Sequence, residues 1–348
     1  MDKIKDSYIY KEDIKSILLQ NCDWLKLKNK TILITGATGL IGTVLTDMFI
    51  YLNISFSLNL NLILISRHEN KSKYIFIKYL NHDISSPINI NDKIDYIIQA
   101  ASNTHPLQYS NFPIETIKTN VFGIYNLLEL AKRNVGCRIL LLSSVEIYGN
   151  DISNNKNGFS ENDLGYLDCN SSRSCYNESK RLSETLCAAY YSEKKVDYII
   201  ARLCRSYGPT LKKDDSKALS QFLKNAINGE NIVLKSEGNQ YYSYMYSADA
   251  ASAIIFLLLN GISGQAYNIA DEKSNITLKE LAKIIADISN TKVIFELPDE
   301  KERNGYSKAQ RAILNPKKIQ ELGWKCHFNI QSGIERTIVC MQQKVDSV

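Results

Sequence analysis

The chain has 348 residues, enough for about two domains and a substantial core without disulfide or metal staples. Apolar residues make up 44% and charged residues 23%, and 42 Lys+Arg against 37 Asp+Glu leave a net charge of only +5. This balance excludes a disordered, collagen-like or coiled-coil chain, and it provides no basic run of the kind that marks a nucleic-acid-binding surface. The N-terminus, MDKIKDSYIYKEDIKSILLQ, alternates charges and has no apolar h-region, so it is not read as a signal peptide. Residues 8–27 carry Ile14, Ile17, Leu18 and Leu25 at helical spacing, which predicts a helix outside the core and an N-terminal helical extension over 1–29. Lys30 to Thr35 then reads as a buried strand that runs directly into glycines. The most membrane-like stretch, 47–66, is interrupted by Asp47, Asn53, Asn59 and Asn61 and reads as helix, turn and strand rather than a span.

Strand-like runs follow at 62–66, 74–79, 95–101, 138–144 and 197–203, and helix-like runs lie near 41–51, 114–134, 174–194 and 216–228. Apolar strands alternating with amphipathic helices predict an α/β fold, a Rossmann-type doubly wound parallel sheet covered on both faces. Short strands at 231–237 and 292–298, with helices at 277–289 and 316–322, predict a smaller mixed α/β C-terminal lobe. The expected division is a dinucleotide-binding domain over 30–205 plus about 244–272, and a substrate lobe over 206–243 plus 273–348. Eight cysteines (22, 137, 169, 175, 187, 204, 326 and 340) form no C-x-x-C pair and read as reduced thiols of a cytoplasmic protein. His68, His82, His105 and His327 have no ligand spacing, so no metal site is expected.

In TILITGATGLIGTVL, Gly36, Gly39 and Gly42 stand between a strand and a helix, as a pyrophosphate-binding turn requires. The next strand ends in Ser66-Arg67, where an Asp or Glu would hold an NAD ribose. An Arg there can accept the 2′-phosphate of NADP+, stack on adenine, or stand solvated; NAD+ is the expected cofactor, with NADP+ left open. Asp83-Ile84 follows the third strand, where a carboxylate can accept from the adenine amino group. Farther on, Tyr176 and Lys180 share a helical face at i and i+4. An ammonium near a phenol stabilises the phenolate, so Tyr176 can take a proton from a substrate hydroxyl. Ser144, at the end of RILLLSS, can share that proton.

The glycine loop, SSVEIYG at 143–149 and Tyr176-x-x-x-Lys180 together resemble the extended short-chain dehydrogenase/reductases, in particular the nucleotide-sugar epimerases, dehydratases and decarboxylases. The likeness spans nearly the whole chain. It implies that Ala100, Ala101 and Ser102 of QAAS face the cofactor and substrate, and that Asn120 supports the active-site backbone. It also implies transient oxidation of a nucleotide-diphosphate sugar at C4 by bound NAD(P)+, and a homodimer built by pairing the helices near 114–134 and 174–194. Glu146 matches the Glu of a T-D-E or T-S-E triplet in sugar 4,6-dehydratases and UDP-glucuronate decarboxylases. It is either a base for C5 or a structural acceptor. Val145 departs from the Asp of the dTDP-glucose-type dehydratases. Arg205 stands where the family often has Asn, and Tyr242 where many members have an Arg for the diphosphate. Arg205 can therefore bind diphosphate or read a substrate carboxylate, and Arg311 is a second candidate for the diphosphate. The reaction expected first is a 4,6-dehydratase; decarboxylase and 4-epimerase follow. A net NADPH reductase and a non-catalytic dinucleotide sensor or scaffold are the outlying readings.

Overall fold

Because alternate strand residues face opposite ways, a run such as Ile32-Leu33-Ile34 can bury both faces only if helices cover both. The computed structural model, which describes residues 2–67, 70–150, 157–212, 214–296 and 310–345, shows that arrangement. Seven parallel strands form one sheet: β1 (Thr31–Thr35), β2 (Asn61–Ser66), β3 (Ile77–Asn81), β4 (Tyr96–Gln99), β5 (Arg138–Ser144), β6 (Asp197–Leu203) and β10 (Gln265–Ile269), in the order β10-β6-β5-β4-β1-β2-β3. On one face Leu33, Ile63, Ile97, Ile139 and Ile200 pack under α5 (Pro113–Arg133) and α6 (Cys175–Lys194). On the other, Ile32, Ile34, Leu62, Ile98, Leu140 and Ile199 pack under α3 (Leu40–Phe56) and α8 (Ser247–Asn260). The order reverses between β1 and β4, which opens a crevice at their carboxyl ends.

A second, four-stranded sheet consists of β7 (Arg205–Tyr207), β9 (Tyr241–Tyr246), β11 (Asn275–Thr277) and β13 (Arg311–Ala312). β8 (Ile232–Leu234) pairs with β12 (Val293–Phe295) beside α7 (Ala218–Ile227) and α9 (Leu278–Ser289), while α10 (Lys317–Glu321) packs on β10 and α11 (Ile330–Val345) lies against the Asp2–Asp6 helix, α7 and β9. No helix among the described residues is long and apolar enough to cross a membrane.

Two expectations shift, and one helix escapes the sequence pattern. The predicted 8–27 helix is two helices, α1 (Asp2–Asp6) and α2 (Tyr8–Lys15), followed by 3₁₀ turns at Ser16–Leu19 and Trp24–Leu27. Asp23 accepts the Leu25 amide and starts a new turn out of phase, so Leu18 and Leu25 are exposed while Ile14 and Ile17 are buried. The third strand begins at Ile77 rather than 74, because residues 73–76 form a bend and turn, in which the Tyr74 and Phe76 rings lie tilted at 5.2 Å. α8 is buried from Ser247 to Leu259; an apolar helix without a polar face carries no 3.6-residue signal. His68 lies outside the described residues.

Candidate active site

Two close approaches dictate glycines at the switch point. Gly36 has φ +68°, and a Cβ there would lie 2.8 Å from the backbone of Ala100 and Ala101. A Cβ on Gly42 would meet the Gly36 carbonyl oxygen at 2.1 Å. Gly39 is the N-cap of α3 and carries no side-chain cap, so the amides of the first turn keep their donor capacity for an anion. Facing this loop, the Thr35 hydroxyl accepts the Ala100 and Ala101 amides, each at 3.2 Å, and Gln99 Nε2 donates to the Ala101 carbonyl at 2.7 Å. Sequence reasoning missed both supports. A buried polar residue at a strand end beside the glycines was the available signal.

At the far end of the crevice, Ser66 Oγ accepts from Asn70, and Arg67 is exposed. The Ser85 amide and hydroxyl, with the Arg67 charge nearby, hold the Asp83 carboxyl below the usual range. Ile84 packs where a Cβ on Gly123 would collide with it, and its carbonyl accepts from Asn126. Glycine cradle, uncapped helix start and this charged edge fit a dinucleotide.

Ser144 caps the short turn Val145–Tyr148, accepts the Glu146 amide at 3.2 Å, and lies on the side of the Tyr176 phenol, where its hydroxyl works against the upward shift of that group. Lys180 lies one turn along α6, with Nζ 6.0 Å from the Tyr176 ring centre and donating to the Leu142 carbonyl at 2.7 Å. The expected lowering of the phenol is not what the structure shows. Burial pushes Tyr176 well up, the Ser144 hydroxyl only partly offsets it, and Lys180 is engaged with β5. Burial also lowers Lys180, to about 8. A relay positions this helix: Ser102 Oγ donates to Asn120 Oδ1 (2.7 Å), Asn120 Nδ2 to Ser179 Oγ (2.8 Å), and Ser179 Oγ to the Tyr176 carbonyl (3.0 Å). Ser102 thereby spends its proton on Asn120. Tyr109, which sequence reasoning did not single out, stacks on Tyr176 at 5.4 Å, and Cys175 Sγ donates to the Tyr109 carbonyl.

Across the crevice, Glu146 Oε1 meets Arg205 Nη2 at 3.3 Å, and Asn177 donates to the Glu146 carbonyl. The Glu146 charge raises both Tyr176 and Tyr109, which places it beside the phenols. Val145, by contrast, is packed in the core. Lys217 sits next to this pair and 4.0 Å from Asp215. Burial opposes the Asp215 charge, but His105 at 3.4 Å and Lys217 outweigh it and hold the carboxyl low. Arg205 rests on Tyr242. Arg311 is in register with Tyr241 and lies 5.5 Å over that ring. Tyr241 and Tyr242 face opposite ways, so Arg311 is on the sheet face away from Arg205.

A model of the NAD-dependent epimerase/dehydratase family matches residues 32–270. The chain belongs to that family. It is 31% identical over 313 residues to UDP-glucuronic acid decarboxylase 3 of Arabidopsis thaliana, covering 88% of this chain and 87% of that one. It is 30% identical over 324 residues to UDP-glucuronic acid decarboxylase 1 of Danio rerio, covering 91% and 74%. Among solved structures, a dTDP-glucose 4,6-dehydratase of Streptomyces venezuelae with NAD bound superposes with TM-score 0.75 at 22% identity, covering 91% of this chain and 98% of that one. UDP-glucose 4-epimerase of Thermotoga maritima gives 0.76 at 18%, covering 90% and 99%. These two likenesses establish the fold. Family membership makes the chain an NAD(P)-dependent enzyme, and Gly36, Gly39 and Gly42 at the α3 start are the residues that fit the cofactor's pyrophosphate.

Proposed function

We propose that the chain is a nucleotide-sugar enzyme that decarboxylates a nucleotide-linked hexuronate. The observation that carries this reading is the guanidinium of Arg205, paired with Glu146 beside Tyr176. A neutral hexose offers such a cation only hydroxyl acceptors; a C6 carboxylate offers an opposite charge and two acceptor oxygens. Two further points move decarboxylation ahead of 4,6-dehydration. The position that would supply an acid for water loss is Val145, which is packed in the core, and the curated relatives above are UDP-glucuronic acid decarboxylases.

The glycine loop would hold the pyrophosphate of NAD(P)+, Ser66, Arg67 and Asp83 its adenosine end, and Lys180 its nicotinamide ribose. When bound, the cofactor supplies the hydride acceptor for C4 and the donor that restores the alcohol. Tyr176 takes the C4 hydroxyl proton, with Ser144 sharing that oxygen. With C4 a ketone, the C6 carboxylate belongs to a β-keto acid. The C5–C6 bond then breaks, its electron pair passes to the C4 oxygen, CO₂ leaves, and C5 takes up a proton. Tyr176 and Ser144 donate to the enolate oxygen. Negative charge moves from C6 to that oxygen, so a full cation at C6 would resist the step. The Glu146–Arg205 pair orients the carboxylate with less net charge, which favours the transition state over the bound acid.

The test is a panel of UDP-glucuronate, UDP-glucose and dTDP-glucose with the products identified. The expected result is CO₂ and a UDP-pentose from the first alone. A 4-keto-6-deoxy sugar from either hexose would select dehydration instead.

The same reading includes a homodimer through α5 and α6, whose outer faces expose Ile117, Phe122, Tyr125, Leu182 and Tyr191. It also includes a reducing compartment, which suits eight free cysteines.

A further inference from the structure

β7 and β9 run parallel with Arg205 beside Tyr244. Tyr242 and Tyr244 share a face of β9, so Tyr242 is the diagonal neighbour of Arg205. The guanidinium carbon lies over the Tyr242 ring, 3.6 Å from its centre, which is van der Waals contact. That ring does not move freely. It is buried, meets Tyr244 edge-on at 6.4 Å, and stands on a strand flanked by Ile276 of β11 and Ala312 of β13. Arg205 thus lies on a fixed aromatic shelf. Its polar contacts are few: one nitrogen reaches Glu146 at 3.3 Å, and Nη1 is buried with no hydrogen-bond partner among the described residues. The protein fixes the plane of the fork but leaves its donors largely unspent. A planar oxyanion with two acceptor oxygens suits such a fork.

We propose that Tyr242 is a positioning residue for acid-sugar specificity: its ring holds the Arg205 fork in the plane that receives the C6 carboxylate. The proposal rests on the decarboxylase reading. A flexible arginine loses side-chain freedom on gripping a ligand; a preformed stack removes most of that loss in advance. Arg205 and Tyr242 are therefore one functional unit, although 36 residues separate them in the chain.

The test measures binding of UDP-glucuronate and UDP-glucose to the full chain loaded with NADH, so that no C4 oxidation occurs. The wild type should favour the acid by about tenfold or more, Tyr242→Phe should match it within about twofold, and Arg205→Gln should abolish the preference. Tyr242→Leu and Tyr242→Met should lose about tenfold in affinity for UDP-glucuronate and keep that for UDP-glucose. In turnover their defect should appear in KM more than in kcat. If the two aliphatic variants keep the acid preference while Arg205→Gln loses it, the role of Tyr242 is overturned and the decarboxylase reading stands. If they lose both ligands together, the residue is merely structural and the proposal fails. A phenylalanine variant that behaves like leucine contradicts the claim for the ring. A wild type without preference for the acid overturns both readings.

Discussion

Burial moves Tyr176 and Lys180 toward their neutral forms, the phenol by rising and the ammonium by falling to about 8. Proton removal from a sugar hydroxyl needs the reverse, a phenolate supported by a cation, so the protonation of Lys180 should limit the rate. Below pH 8 the side chain is charged and assists; above it the charge is lost. We expect kcat/KM to rise up to about pH 8 and to level off above it, because each further gain of phenolate is then matched by a loss of ammonium, measured from pH 6 to 10 with saturating cofactor. A profile that keeps rising to pH 9.5 would show that Lys180 does not govern the step. Tyr176, Lys180 and Ser144 were legible in the sequence because helical i,i+4 spacing and a strand end place them together. Tyr109 was not, since its stacking on Tyr176 joins residues 67 apart on separate elements.

The strand–glycine–helix order at 31–56 was legible because each piece leaves a local mark: an apolar run, a glycine spacing, a helix start. Gly36 is the most constrained of these residues, with positive φ and backbone 2.8 Å from any added Cβ. Gly36→Ala must therefore push the Ala100–Ala101 turn away from β1. We expect NADH affinity, followed by fluorescence titration, to drop by at least about tenfold while the sheet stays folded. Unchanged affinity would place the pyrophosphate elsewhere. The contact between Arg205 and Tyr242 was not legible. Both appeared as separate departures from the family pattern, and only the register of β7 on β9 joins them. The same register assigns Arg311 to the other face, which no spacing rule indicates.

At the scale of the whole molecule, the N-terminal extension is fastened to the C-terminal helix. Asp13 accepts from Arg336 Nε and from the Tyr246 hydroxyl, and Arg336 also reaches the Ile9 carbonyl and Glu12. Burial raises the Asp13 carboxyl to about 6, against the lowering by Tyr246 and Arg336. A raised carboxyl contributes most below its unfolded value of about 3.9 and loses that contribution as pH rises through 6. Arg336→Met would leave this charge unpaired, at a cost of about 3 kcal/mol above pH 7. The deficit should shrink at pH 5, where Asp13 takes a proton; thermal melts at both pH values read it. An equal deficit at both would assign the loss to packing. The exposed apolar faces of α5 and α6 make a second statement at this scale. If α5 and α6 pair two copies as proposed, Phe122→Glu should give a monomer in light scattering where the wild type gives a dimer, and an equal mass for both would count against that pairing.

The central claim is that the crevice removes C6 of an acid sugar as CO₂. UDP-glucuronate labelled with ¹³C at C6, incubated with the protein and NAD+ and followed by NMR, tests it most directly. The account predicts that the label leaves the sugar as bicarbonate and CO₂, without net accumulation of NADH. Label retained in a sugar inverted at C4, or in a stable 4-ketone, would contradict it.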